Sequence, residues 1–157
     1  MDLTDLERRI RVLEDIEAIK QLKYRYADAC DRGYDADTLA DLFTEDAIWE
    51  GDLFGRYEGR EAIREFFRGV PANIPFAVHY MTNPIIHVDG DEANGEWYLF
   101  QTTTFAQNNT PILGSARYAD QYRRVDGTWK FLHLQLISIF WTPYGEGWVK
   151  RPFIQEG

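Results

Sequence analysis

Four long β-type runs fill the second half of the sequence and limit the folds that the chain can adopt. They cover residues 76–88, 93–105, 112–125 and 129–142. The strings Asp89-Gly90-Asp91 and Asp126-Gly127-Thr128 are typical of tight hairpin turns. Residues 106–110 indicate a longer hairpin loop between the two middle runs. The second half is therefore predicted to form an antiparallel meander of strands.

The first third of the chain is helical by pattern. Apolar residues recur at helical spacing from Thr4 to about Arg32, and Asp31-Arg32-Gly33 ends this long helix. A short helix is predicted from Asp35 through Phe43, ended by Thr44-Glu45-Asp46. Strands follow at residues 47–50 and 56–58.

A third helix opens at Gly59 and buries its apolar side, and Pro71 and Pro75 close this section. The apolar side consists of Ala62, Ile63, Phe66 and Phe67. Helices first and strands second is the order of an α+β domain in which one sheet curls around its helices. The length of 157 residues predicts one domain over residues 1–157.

Charge and composition exclude several classes of partner. Asp and Glu outnumber Lys and Arg by 26 to 17, and the net charge of −9 repels nucleic acids and anionic membranes. The N-terminus lacks the cationic and apolar regions of a signal peptide, and no apolar run is long enough to span a bilayer. A cytoplasmic protein with no nucleic-acid or membrane partner is expected.

Neither a metal nor an organic cofactor is indicated. Cys30 is the only cysteine, and the three histidines are too far apart in sequence to suggest a metal site. No glycine-rich phosphate loop, dinucleotide fingerprint or Gly-x-Ser-x-Gly elbow occurs. The side chains of the protein are therefore expected to carry out any reaction without a cofactor.

His79, in the first long β run, is the candidate general base. A histidine and a carboxylate that meet in an apolar cavity form a base with a fixed tautomer, and Asp31 at the helix end is the candidate carboxylate. The alternative is a histidine that only packs in the core, with Asp31 as a helix-end residue. His87 is expected at the surface, beside the turn at Asp89-Gly90.

The aromatic content predicts a ligand cavity. Phe, Trp and Tyr make up 15% of the chain, which is more ring surface than such a small core needs. The candidates for contact with an apolar, ring-bearing substrate lie on predicted strands: Trp49, Asn83, Trp97, Leu99, Gln101, Tyr118, His133 and Trp141. Core packing is the alternative role for the pocket candidates, and for His133 a packed or interface position is the alternative.

Five strings of the sequence resemble the SnoaL-like branch of the nuclear transport factor 2 (NTF2) superfamily, over nearly the whole chain. They are Asp15-Ile16-Glu17-Ala18-Ile19-Lys20, Tyr26-Ala27-Asp28-Ala29-Cys30-Asp31, Leu42-Phe43-Thr44-Glu45-Asp46-Ala47, His79-Tyr80-Met81-Thr82-Asn83-Pro84 and Tyr118-Ala119-Asp120-Gln121-Tyr122-Arg123-Arg124-Val125-Asp126-Gly127. The most similar families are scytalone dehydratase, bile-acid 7α-dehydratase and hexachlorocyclohexane dehydrochlorinase, all cofactor-free lyases. The resemblance implies a cone-shaped α+β barrel, NTF2-like, with N-terminal helices packed in a curved, mixed or antiparallel sheet.

The resemblance also implies a site. The catalytic Asp and His of these families map onto Asp31 and His79, and a tyrosine of the bile-acid family maps onto Tyr26. His79 would take a proton from carbon, Asp31 would stabilise the imidazolium, and Tyr26, or else Tyr118, would assist a departing hydroxide. A dehydratase-type lyase is expected. An isomerase, a cyclase or a retro-aldol lyase with the same base, or a non-catalytic binding protein, is the alternative.

Three positions depart from these families. Cys30 stands where scytalone dehydratase has a tyrosine, and Trp97 stands where it has a second histidine. The catalytic arginine of the dehydrochlorinase falls near Leu134. These differences argue against the substrates of both families.

The last β run is apolar on both sides, although a curled sheet needs only one face for its own core. Phe131, Ile137 and Ile139 alternate with Leu132, Leu134, Leu136 and Phe140. The resemblance implies that neighbouring subunits cover the other face, with a trimer ranked first and a dimer second. Trp148, Pro152 and Phe153 would close the pocket or reach a neighbour.

Overall fold

Six strands form one mixed sheet in the computed structural model, which describes residues 2–154. The strands are β1 (Phe43–Gly51), β2 (Gly55–Glu58), β3 (Phe76–Asp89), β4 (Glu92–Phe105), β5 (Thr110–Val125) and β6 (Thr128–Pro143). Their order in the sheet is β2-β1-β6-β5-β4-β3. β1 runs parallel to β6, and every other neighbouring pair is antiparallel. The ends of the predicted domain, residue 1 and residues 155–157, lie outside the described residues.

The sheet curves around a long helix. The helices are α1 (Leu3–Asp31), α2 (Ala36–Ala40) and α3 (Arg60–Asn73), with a 3-10 turn at Gln107–Asn109. Side chains along α1 reach three strands in turn, because Asp15 contacts Trp129 of β6, Lys23 contacts Asp120 of β5, and Asp31 contacts His79 of β3. The part of α1 from Asp15 onwards therefore packs inside the curved sheet, whereas Leu3, Leu6, Ile10 and Leu13 before it are exposed. No helix within residues 2–154 is both long enough and apolar enough to cross a bilayer.

The predicted end of the first helix is confirmed and has a defined geometry. The N–H of Tyr34 donates to the carbonyl of Ala29, and the N–H of Gly33 donates to that of Cys30. Gly33 has a φ of +99°, which an L side chain rarely adopts. This is the Schellman arrangement, and it makes Asp31 the last helical residue of α1.

The predicted hairpins are also confirmed. Asp126 and Gly127 have φ values of +51° and +77°, as a type I′ turn requires. Gly90 has a φ of +62° in the turn between β3 and β4. The turn at Asp126 and Gly127 therefore adopts the conformation that an Asp-Gly string favours, and the turn at Gly90 and Asp91 has a glycine at its first central position, as a type II′ turn prefers.

One predicted helix end is wrong. Phe43 was expected in the short helix, but α2 ends at Ala40 and Phe43 starts β1, where its ring packs on that of Phe131 at 5.1 Å. Pro71 and Pro75 were expected to close the section that contains the third helix, and α3 ends between them, at Asn73. Pro71 removes only one backbone hydrogen bond so close to the helix end.

The alternation expected along the last strand is interrupted. Gln121 pairs with His133 and Tyr122 pairs with Phe131, so Leu132 is an extra residue in β6. A bulge of this kind reverses which side chains face the core. As a result Phe131 is buried, whereas Ile137 and Ile139, predicted to lie on the same side, are exposed.

Candidate active site

His79 and Asp31 form a hydrogen-bonded pair where α1 ends against β3. His79 Nδ1 lies 2.6 Å from Asp31 Oδ1, and the backbone N–H of His79 donates to the same oxygen at 2.9 Å. The His79 side chain is 7% exposed and that of Asp31 is 26% exposed, so the carboxylate lies nearer to solvent than the ring does. A carboxylate at Nδ1 favours the tautomer whose lone pair lies on Nε2. Nε2 is then the atom that can accept a proton.

An apolar inner cavity adjoins His79. Its walls come from α1, α3 and the inner face of the sheet: Tyr26, Tyr34, Trp49, Phe54, Phe66, Phe67, Val70, Ile74, His79, Gln101, Tyr118, Leu136 and Trp141. The volume is about 40 Å³, close to that of one water molecule. The His79 ring, which is only 7% exposed, therefore lies in a mainly apolar setting, and this strengthens electrostatic interactions at the ring.

Five of the predicted substrate or acid residues lie on this inner cavity together with His79. They are Tyr26, Trp49, Gln101, Tyr118 and Trp141. Two others, Trp97 and Leu99, share the inward side of β4 with Gln101 but are buried in the core away from the cavity. The indole N–H of Trp97 donates to the hydroxyl of Tyr122 at 3.0 Å. The alternation of residues along β4 predicted which side chains point inward. It did not predict where along the strand the cavity lies.

Asn83 was expected at the substrate but lies outside the cavity. It is exposed and has a φ of +54°. The pairing of β3 with β4 shifts between Thr82 and Ile85, so Asn83 and Pro84 form a bulge. The bulge turns the Asn83 side chain to the surface.

His133 also lies outside the inner cavity. Its Nε2 is 2.7 Å from Glu50 Oε1, and Glu50 is in turn 2.9 Å from Arg56. The bulge at Leu132 places His133 in this charged cluster rather than among the cavity side chains. Across residues 2–154, no three His, Cys, Asp or Glu side chains are arranged to hold a metal ion.

Several cavity residues were missed by the sequence analysis. Tyr34, at a φ of +58°, stacks on Phe67 and meets the His79 ring edge-on at 6.1 Å. Phe54, Phe66, Phe67, Val70, Ile74 and Leu136 complete the set. The apolar spacing of α3 was a usable signal for a buried face, but it does not show that this face borders a cavity.

Tyr26 and Tyr118 are the candidate proton donors on the cavity wall. The indole N–H of Trp49 donates to the Tyr26 oxygen at 3.0 Å, so the phenolic proton of Tyr26 remains available for another acceptor. Burial raises the pKa of both phenols well above the usual value, so both keep their protons at neutral pH. Burial likewise raises the pKa of the Cys30 thiol, which excludes a reactive thiolate there.

Lys23 and Asp120 form a fully buried ion pair behind this wall, and the sequence analysis missed it. Lys23 Nζ lies 2.8 Å from Asp120 Oδ2 and 3.3 Å from the centroid of the Tyr118 ring. Burial lowers the pKa of Lys23 and raises that of Asp120, while the contact between them opposes both shifts. The cation over the ring holds Tyr118 in place. The sequence pattern of α1 does not indicate which lysine is buried, because Lys20 and Lys23 occur in the same helical pattern.

Gly114 makes room for the Trp141 ring. A Cβ atom at Gly114 would lie 2.3 Å from a carbon of the Trp141 ring, which is far inside van der Waals contact. Gly114→Ala is therefore expected to destabilise the fold by about 1–3 kcal/mol and to displace the indole from the cavity wall. Urea unfolding measures the first effect, and near-UV circular dichroism measures the second.

Gly69→Ala is the matched control, because a Cβ at Gly69 meets no atom within 4 Å. In a helix this change is expected to be neutral or stabilising. Equal stability of the Gly114→Ala protein and the wild type would contradict the crowding around Trp141.

Comparison with known proteins identifies relatives over most of the chain. Residues 11–135 match the model of the SnoaL-like domain. A gamma-hexachlorocyclohexane dehydrochlorinase of Sphingobium indicum is 30% identical over 107 residues, which cover 67% of this chain and 69% of the relative.

Solved structures confirm the predicted cone-shaped α+β fold. A crystal structure of a type 2 hexachlorocyclohexane dehydrochlorinase superposes with a TM-score of 0.79 at 29% identity, over 88% of this chain and 92% of that one. A protein of Novosphingobium aromaticivorans, provisionally assigned as a scytalone dehydratase, superposes with a TM-score of 0.77 over 92% and 96% of the two chains. At 23% identity, this second match shows the fold alone.

Proposed function

The chain belongs to the SnoaL-like domain family, and on that basis we propose that it is a cofactor-independent lyase acting on an apolar, ring-bearing small molecule. The observation that carries the proposal is the His79–Asp31 pair beside an apolar cavity. A relative that is 30% identical is named as a dehydrochlorinase, which is a lyase. A protein that only binds its ligand has no need of an imidazole held by a carboxylate in this way.

The reaction begins with proton abstraction from carbon. Nε2 of His79 takes the proton, and the positive charge that forms on the ring is stabilised by Asp31 at 2.6 Å from Nδ1. The backbone N–H of His79, which donates to the same Asp31 oxygen, fixes the position of the carboxylate relative to the ring. The negative charge that develops on the deprotonated carbon then expels a leaving group from the neighbouring carbon.

The cavity suits a hydroxyl leaving group. Hydroxide departs only when a donor protonates it or stabilises its charge, and the phenols of Tyr26 and Tyr118 are protonated donors on the cavity wall. No Lys or Arg is among the described residues that line the inner cavity, and Leu134, near the position of the dehydrochlorinase arginine, is fully buried in the core. We therefore place dehydration ahead of loss of chloride, with Tyr26 as first donor and Tyr118 as second.

Substrate profiling with deuterium as the readout tests this proposal. Wild type and His79→Ala are incubated in D₂O with hydroxylated aromatic, polyketide-like and steroid compounds, and mass spectrometry follows loss of water and uptake of deuterium. We expect wild type alone to form a dehydrated product. Deuterium uptake without loss of water would identify an isomerase, and no reaction or exchange with any compound would favour a binding protein.

Assembly gives a further prediction. Exposed apolar side chains cover the outer face of the sheet, among them Tyr80, Tyr98, Phe100, Ile137 and Ile139. The Tyr80 and Phe100 rings lie 6.2 Å apart on adjacent strands. A patch of this kind on a small protein is typical of a subunit interface. Sedimentation equilibrium at micromolar concentration is expected to give the mass of three 18.4 kDa chains, or else two. A monomer would contradict the proposal.

A further inference from the structure

A larger groove lies next to the inner cavity, on the outer side of α3. This outer groove is lined by Leu53, Phe54, Tyr57, Ala62, Glu65, Phe66, Gly69, Val70, Asn73, Ile74, Phe105 and Gln107, and its volume is about 860 Å³. Four of these residues, Phe54, Phe66, Val70 and Ile74, also line the inner cavity. The two spaces therefore share a wall.

The inner cavity is too small to hold a whole ring-bearing substrate. Its volume is about 40 Å³, whereas sites for small molecules are typically several hundred Å³. Only the reacting end of a molecule fits beside His79, and then only when side chains move outward. The rest of the molecule must lie in the space that adjoins the cavity.

Phe66 is the main side chain between the two spaces. Its ring stacks on Tyr57 at 4.2 Å with an interplanar angle of 18°, and it packs on Trp49 of the inner cavity at 4.5 Å. Phe66 and Tyr57 are only partly buried. A stack of rings that is open to solvent on one side offers a surface on which another flat ring can pack.

The charges of the groove indicate the chemistry of what it holds. Glu65 is the only charged side chain among its described lining residues, and it is paired with Arg68. A carboxylate or sulfate on the ligand would find no cation in the groove. The groove therefore suits a neutral, flat, apolar group.

We infer that the substrate is elongated, with its reacting end beside His79 and a neutral second ring in the outer groove. This inference rests on the proposed function, and it adds a subsite and a shape to the substrate class. It assigns a role in substrate binding to the outer groove, whose residues take no part in the chemical step.

Two probes that differ by one ring test the subsite. Phenol has a hydroxyl and one ring, and 4-phenylphenol carries a second ring at the position opposite the hydroxyl. Calorimetry on wild type is expected to show at least ~10-fold tighter binding of 4-phenylphenol, the gain from burying an added ring. Equal affinity for the two probes, or no binding of either, would overturn the inference.

Gly69→Phe fills the groove, because the space above Gly69 is open and a Cβ there meets no atom within 4 Å. The preference for 4-phenylphenol is expected to fall to about twofold or less, with phenol affinity unchanged. Gly145→Phe, which adds the same ring at an exposed glycine outside both spaces, should keep the wild-type preference, and thermal unfolding checks that both variants fold. A retained preference in Gly69→Phe, or an equal loss for both probes, would overturn the subsite.

Failure of the subsite is distinguishable from failure of the proposed function. Probe binding does not depend on turnover, so the ratio of the two affinities is measurable in His79→Gln as well as in wild type. A lost preference in Gly69→Phe, together with full turnover in His79→Gln, would support the subsite and reject the base. A retained preference in Gly69→Phe, together with lost turnover in His79→Gln, would reject the subsite alone.

Discussion

His79→Gln is expected to lower turnover by about a hundredfold or more, which is the size of a general-base contribution, while the fold is retained. The glutamine amide can still donate to Asp31 Oδ1, and it occupies much of the space of the ring. It has no basic atom at neutral pH, so it cannot take a proton from carbon. The turnover number on the compound that wild type dehydrates is the measurement, with circular dichroism and thermal unfolding as checks on folding.

His87→Gln is the control for this experiment. His87 lies on the same strand, β3, and is exposed. Its replacement is expected to leave turnover within about twofold of wild type, since surface changes of this kind have small effects. A His79→Gln enzyme with the wild-type rate would show that another group removes the proton.

Asp31→Asn is expected to slow turnover by on the order of a thousandfold or more while ligand binding is kept. The amide carries no negative charge, so the imidazolium that forms during proton transfer loses its stabilisation. An amide N–H turned towards Nδ1 would also favour the wrong tautomer, with the lone pair on Nδ1 instead of Nε2. Turnover is compared with the affinity for 4-phenylphenol, and ¹⁵N NMR of the His79 ring reports the tautomer.

Asp28→Asn is the matched control, because Asp28 lies on the same helix and forms an exposed pair with Arg32 at 2.8 Å. We expect it to change neither turnover nor tautomer, since exposed ion pairs contribute little. Asp31 also accepts the backbone N–H of His79, and this hydrogen bond ties the end of α1 to β3, which is a structural role. Unfolding of Asp31→Asn would establish that role and remove the catalytic assignment.

The parts of the fold that were predicted correctly are those determined by residues close together in the sequence. The end of α1 follows from Gly33, which adopts a φ of +99°, and the hairpin at Asp126 and Gly127 follows from a two-residue preference. Phe43 was misread because its partner, Phe131, is distant in sequence.

The candidate site was predictable in its chemistry but not in its shape. His79 and Asp31 were singled out from residue type and family resemblance, and the structure brings them into contact. The cavity wall formed by α3 depends on how that helix packs over the sheet. Asn83 and His133 were misplaced because β-bulges, set by the partner strand, interrupt the alternation.

The sheet can close only after nearly the whole chain has been synthesised. β1 pairs in parallel with β6, and Glu50 on β1 contacts His133, which lies 83 positions later. Until β6 is made, β1 has only β2 as a neighbour, and an isolated two-stranded hairpin is marginal in water. Non-local pairing of this kind folds slowly. We therefore expect Trp49 on β1 to be among the last side chains to be enclosed, and nascent chains to pass through a stage in which the aromatic lining is exposed and prone to aggregation.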